Sequence, residues 1–156
     1  MDLLCFDTPL GPMALAEEGG ALTRLYLPGG PVPRMASRET PLLAEGRAQL
    51  LSYLQGGRRA FSLPLAPAGT PFQQAVWAQL ARIPYGSTLT YGQLAARVGN
   101  PKAVRAVGQA NHRNPLPILL PCHRVVGKGG ALTGYAGGVA LKRTLLELEG
   151  IACPAR

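Results

Sequence analysis

The spacing of apolar positions changes twice along this chain. From Leu3 to Leu27 they fall in three short runs, residues 3–6, 13–16 and 21–27, parted by Pro9, Gly11 and Pro12 and then by Gly19-Gly20. Such runs between glycine and proline predict strands joined by tight turns. In the third run Leu25 and Leu27 share a face with Thr23, while Leu22 and Tyr26 share the other with Arg24. After a Pro/Gly-rich loop at 28–33 the period lengthens. Thr40-Pro41 reads as an N-cap with proline at the first helical position, and Leu43, Arg47, Leu50 and Leu54 recur at helical spacing up to Gly56-Gly57. Residues 61–65 are expected to return as a strand, and 64–69 to serve as a linker. The first part is thus a small ββ(β)αβ domain with an antiparallel sheet.

Beyond the linker the pattern is helical and interrupted. Thr70-Pro71 starts a helix whose inner side carries Phe72, Val76, Leu80 and Ile83, with Trp77 alongside, and Pro84-Tyr85-Gly86 ends it. Thr90 and Gln93 have capping-box spacing for a short helix to Val98, stopped by Gly99. Asn100-Pro101 is expected to open the next helix at once. Two short helices across a Gly-Asn turn predict a helix-turn-helix. On the second helix Lys102, Arg105, Ala106 and Gln109 share one side; Val104, Val107 and Asn111 share the other, the valines as core anchor. Gly108 lies at the margin, and glycine inside a helix costs about 1 kcal/mol, which suits close approach of something. Pro115 and Pro117 forbid helix and stiffen the path into Ile118-Leu119-Leu120. Val125-Val126 continues as strand, Gly127–Gly130 turns it, and residues 131–133 are expected to pair back as a hairpin or wing. Leu141, Leu145 and Leu148 carry a last helix with Glu149 at its end and Gly150 behind it. The fold class is therefore α/β (α+β), with domains at 1–69 and 70–156.

Charge sharpens this division. The 156 residues carry a formal net charge of +8. Up to Gly69 basic and acidic residues balance, six of each, so the whole excess lies in the second part. A one-sided basic balance points to a polyanion as partner, against the alternative of a solvated basic face. Three cysteines, Cys5, Cys122 and Cys153, are too scattered for a disulfide framework and form no CxxC pair, which suits a reducing cytoplasm. No apolar run reaches membrane-spanning length, and Met1-Asp2-Leu3 lacks a basic-then-apolar opening, so neither membrane nor secretory leader is expected. Gly134-Tyr135-Ala136-Gly137-Gly138 has neither the lysine ending nor the spacing of a phosphate-cradling loop. No cofactor and no metal site is expected.

The chemistry concentrates at Pro121-Cys122-His123-Arg124-Val125. Cysteine attacks as thiolate, and neighbouring cations favour that form. The same residues also fit a buried cysteine in a short strand. Four readings remain at this level: alkyl transfer from DNA, non-catalytic binding of alkylated DNA, a winged-helix regulator with a redox-sensing Cys-His pair, and a Cys-His hydrolase.

Several motifs in order resemble one family. Pro121–Val125, the preceding Asn114-Pro115-x-Pro117-Ile118, the following Tyr135-x-Gly137-Gly138, Tyr91-Gly92-Gln93-Leu94-Ala95, and Gly99-Asn100-Pro101-Lys102-Ala103-x-Arg105-Ala106-Val107-Gly108 are similar to O6-alkylguanine-DNA alkyltransferases. The close match spans about residues 70–151; the first part matches in outline, where the family implies a ribonuclease-H-like fold. The resemblance implies that Cys122 is the alkyl acceptor, that Glu149 orients His123, and that His123 takes the thiol proton through a water. It implies that Tyr91 meets the target nucleotide, that Arg105 replaces the extruded base, and that Asn114 braces the helix-turn-helix against the cysteine segment. Lys102, Ala106, Gln109 and Arg113 join Arg105 as expected DNA contacts, and Val125, Tyr135, Gly137 and Pro117 as expected pocket lining. Arg124 is assigned a structural role. The implied reaction is a single, irreversible transfer from O6-alkylguanine in duplex DNA by a monomer; whether O4-methylthymine is also taken stays open. Some relatives hold zinc on N-terminal Cys and His, but this chain has only Cys5 and no histidine before His112.

Overall fold

The computed structural model describes residues 1–154 and divides the chain into two compact units, one ending at Ala68 and the other beginning at Gly69. The first unit is built on an antiparallel sheet of β1 (Asp2–Thr8), β2 (Gly11–Glu18) and β3 (Ala21–Tyr26), in that order. β1 pairs Leu3 with Ala16 and Leu4 with Leu15, and the β2–β3 register shifts at Ala16/Glu17. That shift lets Leu22 and Leu25 both be buried, where strict alternation would separate them. Helix α1 (Pro41–Leu54) starts as expected, with the Thr40 hydroxyl accepting from the Leu43 N–H at 3.1 Å. Its buried stripe differs from the expected one. Leu43, Gly46, Gln49, Leu50, Tyr53 and Leu54 face inward, whereas Arg47 turns out to an ion pair with Glu39.

The expected strand at 61–65 does not form. Leu65 makes only an isolated parallel bridge to Leu22, through Leu22 N–H to Pro64 O and Ala66 N–H to Leu22 O, each 2.8 Å. Pro64 and Pro67 carry no N–H to continue a ladder.

The second unit holds α2 (Pro71–Leu80), β4 (Leu89–Thr90), α3 (Tyr91–Arg97), α4 (Val104–His112), β5 (Val125–Val126) and α5 (Val139–Leu148). Capping boxes close the starts of α2, with Thr70 and Gln73, and α3, with Thr90 and Gln93. Trp77 ties α2 to α4 by donating its indole N–H to the Ala110 carbonyl at 2.8 Å. A methyl group on Gly69 would stand 2.4 Å from the Trp77 ring, so only glycine fits at the entry to α2. Phe72, expected inside, is 39 % exposed; it keeps the i, i+4 spacing of Val76 and Leu80 but stands in the first turn of α2, one residue after Pro71.

The helix-turn-helix is present, but its second helix begins later than expected. The Asn100 side chain accepts from the Lys102 N–H at 3.3 Å and its carbonyl from the Ala103 N–H at 3.0 Å. That local turn captures Pro101 and Lys102, and α4 starts at Val104. Val104 is consequently 40 % exposed rather than a core anchor, and Val107, Ala110 and Asn111 make the buried side. The expected wing also differs. β5 pairs in parallel with β4, Leu89 opposite Val125 and Thr90 opposite Val126. Residues 131–133 form no strand; Gly127 N–H to Ala131 O at 2.7 Å closes a short turn instead. Among the described residues no helix is long and apolar enough to cross a membrane.

Candidate active site and nucleic-acid interface

The segment from Asn114 to Pro121 is buried throughout and carries the chain into Cys122 without regular structure. Asn114 organises it from within. Its Oδ1 accepts from the Leu116 N–H at 2.9 Å, and its Nδ2 donates to the Leu120 carbonyl at 2.8 Å. Leu120 N–H in turn reaches Leu116 O at 2.8 Å. Ile118 at the bend has φ +73°, a left-handed conformation that β-branched residues avoid and that costs about 1–3 kcal/mol. The rigid prolines and this clamp hold the bend three residues before Pro121.

Cys122, His123 and Arg124 form one tight turn, all three buried. Cys122 is 4 % exposed. Burial pushes its thiol up to about 11, against an Asn114 hydrogen bond, the Lys142 charge and the N–H groups of Cys122 and His123, which favour the thiolate. In the resting protein the sulfur is therefore protonated, and a base must take its proton. His123 is placed to be that base. Burial holds its pKa below the ordinary value, opposed by Glu149. Its Nε2 lies 2.7 Å from Glu149 Oε2; an N–H there directs the ring's lone pair to Nδ1.

Glu149 serves more than His123. Arg124 donates Nε to Oε1 at 2.8 Å and Nη2 to Oε2 at 3.0 Å, while its Nη1 reaches the Ile83 carbonyl at 2.7 Å. Gly86 N–H adds a bond to Oε1 at 3.2 Å. A carboxylate held by a guanidinium fork and a backbone N–H cannot swing away from the imidazole.

Two contributors escaped the reading of sequence. Lys142, on α5, is buried and donates to the Thr133 carbonyl at 2.8 Å. Burial lowers its pKa to about 8, partly offset by Cys122. Its ammonium lies 5.8 Å from the Tyr91 ring centroid, so one charge serves both the thiol and the phenol. Asn111, on the inner side of α4, donates to the Cys122 carbonyl at 3.4 Å.

Outside the buried cluster lies a cleft of about 470 Å³ lined by Tyr91, Arg105, Gly108, Gln109, His112, Arg113, Thr133 and Gly134. It brings together four of the expected DNA contacts, Tyr91, Arg105, Gln109 and Arg113. Lys102 is exposed in the turn ahead of α4, and Ala106 is exposed on its outer side. No carboxylate lines this cleft. Gly108 is not crowded by the protein: an added methyl would meet Tyr91 at 3.7 Å, ordinary contact. The four residues expected to line a substrate pocket do not line this cleft. Val125 is locked in β5, Pro117 and Tyr135 are buried, and Gly137 is half-buried. Thr133 and Gly134 line the cleft from the loop before Tyr135.

Comparison with known proteins fits both units. Residues 71–151 match the family "6-O-methylguanine DNA methyltransferase, DNA binding domain", and residues 4–67 match its "ribonuclease-like domain". A constitutive methylated-DNA–protein-cysteine methyltransferase of Bacillus subtilis is 53 % identical over 154 residues, covering 94 % of this chain and 93 % of that protein. A methylated-DNA–protein-cysteine methyltransferase of Methanosarcina acetivorans is 46 % identical over 149 residues, covering 93 % and 96 %. The crystal structure of Mycobacterium tuberculosis OGT in complex with DNA superposes with a TM-score of 0.88 at 43 % identity, covering 96 % of this chain and 93 % of that one. With its ribonuclease-like unit, its DNA-binding unit and its buried Cys-His-Glu cluster, the chain belongs to the 6-O-methylguanine DNA methyltransferase family.

Proposed function

We infer that this protein binds duplex DNA through α4 and its cleft, takes up an O6-alkylguanine rotated out of the stack, and moves the alkyl group onto Cys122. The observation that carries this reading is a buried thiol beside a His123–Glu149 pair, in a chain 53 % identical to a methylated-DNA–protein-cysteine methyltransferase. The chemistry follows from the groups present. His123 Nδ1 receives the thiol proton through a water, and Glu149 holds the ring while it does so. The thiolate attacks the alkyl carbon, the carbon–O6 bond breaks, and its electron pair leaves with guanine, which stays in the DNA. Lys142 and the N–H groups near Cys122 favour the thiolate as it forms. The product is a thioether, and nothing in the cluster is equipped to cleave a carbon–sulfur bond. Each molecule therefore acts once.

The alkylated carbon lies inside the stack, so the nucleotide must leave it; a poorly paired lesion costs less to extrude. Tyr91 meets the target nucleotide and Arg105 fills the gap. The protein acts as a monomer in the cytoplasm. A binder without chemistry would have no use for Cys122 and its base. Incubation with a duplex bearing one O6-methylguanine, followed by intact-mass measurement, tests the reading. The expected result is a gain of one CH2, located on Cys122 and absent from Cys122→Ser. Retention of lesion DNA with unchanged protein mass would overturn it.

A further inference from the structure

The carbonyl of Thr133 collects donors from two separate helices. The Tyr91 hydroxyl, at the start of α3, reaches it at 3.3 Å, and the Lys142 ammonium, on α5, at 2.8 Å. The Thr133 hydroxyl returns a contact, donating to the Tyr91 oxygen at 3.4 Å. The phenol thus gives a proton to, and accepts one from, the same residue. Tyr91 and Thr133 line the same cleft, Tyr91 at the start of α3 and Thr133 on the glycine-rich loop. Among the described residues, these contacts with Thr133 are what holds the phenol's tip. On the α4 side the ring faces Gly108, which has no side chain to press on it. Lys142 steadies the ring by its charge, and the same ammonium anchors the loop that carries Thr133.

We propose that Thr133 is a positioning residue for Tyr91: its hydroxyl and carbonyl hold the phenol at the cleft in the orientation an incoming nucleotide meets. This rests on the reading of Tyr91 as the residue that meets the target nucleotide. A phenol ordered beforehand loses less freedom when the nucleotide arrives, and an unheld one must be ordered at that moment. The hydroxyl is the part of Thr133 that substitution can remove while leaving the carbonyl and its Lys142 bond in place. Thr133 is exposed, so valine there leaves the core intact, and a melting curve checks it.

The experiment measures single-turnover methyl transfer from an O6-methylguanine duplex at saturating DNA, for wild type, Thr133→Val, Thr133→Ser, Tyr91→Phe and the Tyr91→Phe/Thr133→Val pair. Thr133→Val is expected to slow transfer by about three- to tenfold, the span of ordering one side chain. Thr133→Ser, which keeps the hydroxyl, is expected to stay within about twofold of wild type, and Thr133→Val to have no further effect once Tyr91 is phenylalanine. A loose structural role would instead add its loss to that of Tyr91→Phe. Additivity, a wild-type rate for Thr133→Val, or failure of serine to rescue overturns the inference, while a loss in Tyr91→Phe keeps the reading of Tyr91. A wild-type rate for Tyr91→Phe sinks that reading and this inference together.

Discussion

His123 Nε2 and Glu149 Oε2 stand 2.7 Å apart with both side chains fully out of solvent, although 26 positions separate them in the chain. The carboxylate is not free to follow the imidazole, because Arg124 and Gly86 N–H hold it from other sides. Glu149→Gln keeps the shape but loses the charge that stabilises an imidazolium. A positioned general base contributes about 10²–10⁴-fold, so the methyl-transfer rate is expected to fall within that range. Arg124 would be left as a buried cation without its counter-charge, and removing one partner of a buried pair costs about 3–5 kcal/mol. Single-turnover kinetics and a denaturant melt of the same sample measure both losses. A variant with wild-type rate would remove Glu149 from the proton relay.

Lys142 trades stability for reactivity. Its pKa falls from 10.5 to about 8 on burial, so the unfolded chain binds more protons between these values and stability rises with pH through that window. Lys142→Met removes the buried charge and is expected to raise the melting temperature at pH 7. The same change takes away a cation that favours the Cys122 thiolate, and that thiol already sits near 11. Without that charge the thiolate is harder to form, so transfer at pH 7 is expected to slow. With Lys142 lowered to about 8, the wild-type rate–pH curve is expected to bend near pH 8, and the bend is expected to disappear in the variant. A bend that survives in Lys142→Met belongs to another group.

Much of this was written in local sequence. Thr40, Thr70 and Thr90 each announce a helix start, and each caps one, because a capping hydroxyl and its N–H partner lie within three residues. The misreadings have equally local causes. Asn100 spends its side chain on a turn, which delays α4 and rotates Val104 outward. Two prolines near Leu65 stop the strand at 61–65 before it forms. Lys142 escaped for a different reason. Its neighbours Leu141, Leu145 and Leu148 have helical spacing, and a lysine beside such a stripe is ordinarily solvated. Only the fold reveals that Lys142 shares the buried side with Leu145 and Leu146, under the Thr133 carbonyl. The Arg124 fork on Glu149 was likewise hidden, since it joins two segments that meet only in the folded unit.

His123 sets the acid limit of stability. Burial keeps it neutral below its ordinary pKa of 6.5, so in acid the unfolded chain takes up a proton that the native state refuses. Stability is therefore full above about pH 6.5 and falls as pH drops below it, by as much as about 1.4 kcal/mol per unit. Urea midpoints from pH 7.5 to 5 test this. His123→Gln, which has no proton to take up, is expected to flatten that limb. If the variant keeps the wild-type slope, the acid sensitivity arises elsewhere.

The basic cleft separates two kinds of arginine. Arg105 and Arg113 both line it, Arg105 near the start of α4 and Arg113 just past its end. A side chain that neutralises a phosphate releases counterions, so its loss lowers the slope of log affinity against log salt by about one. A side chain that fills the gap left by an extruded base does its work in the stack, and its loss is felt where there is a stack to fill. Arg113→Ala is thus expected to weaken binding to damaged and undamaged duplex alike and to flatten the salt dependence by about one. Arg105→Ala is expected to slow methyl transfer from duplex more than from the free alkylated base, with a smaller change in salt slope. Fluorescence titrations at several salt concentrations and single-turnover rates on the two substrates measure the difference. Equal loss on duplex and free base for Arg105→Ala would place this arginine outside the stack, among the residues that only hold the phosphate backbone.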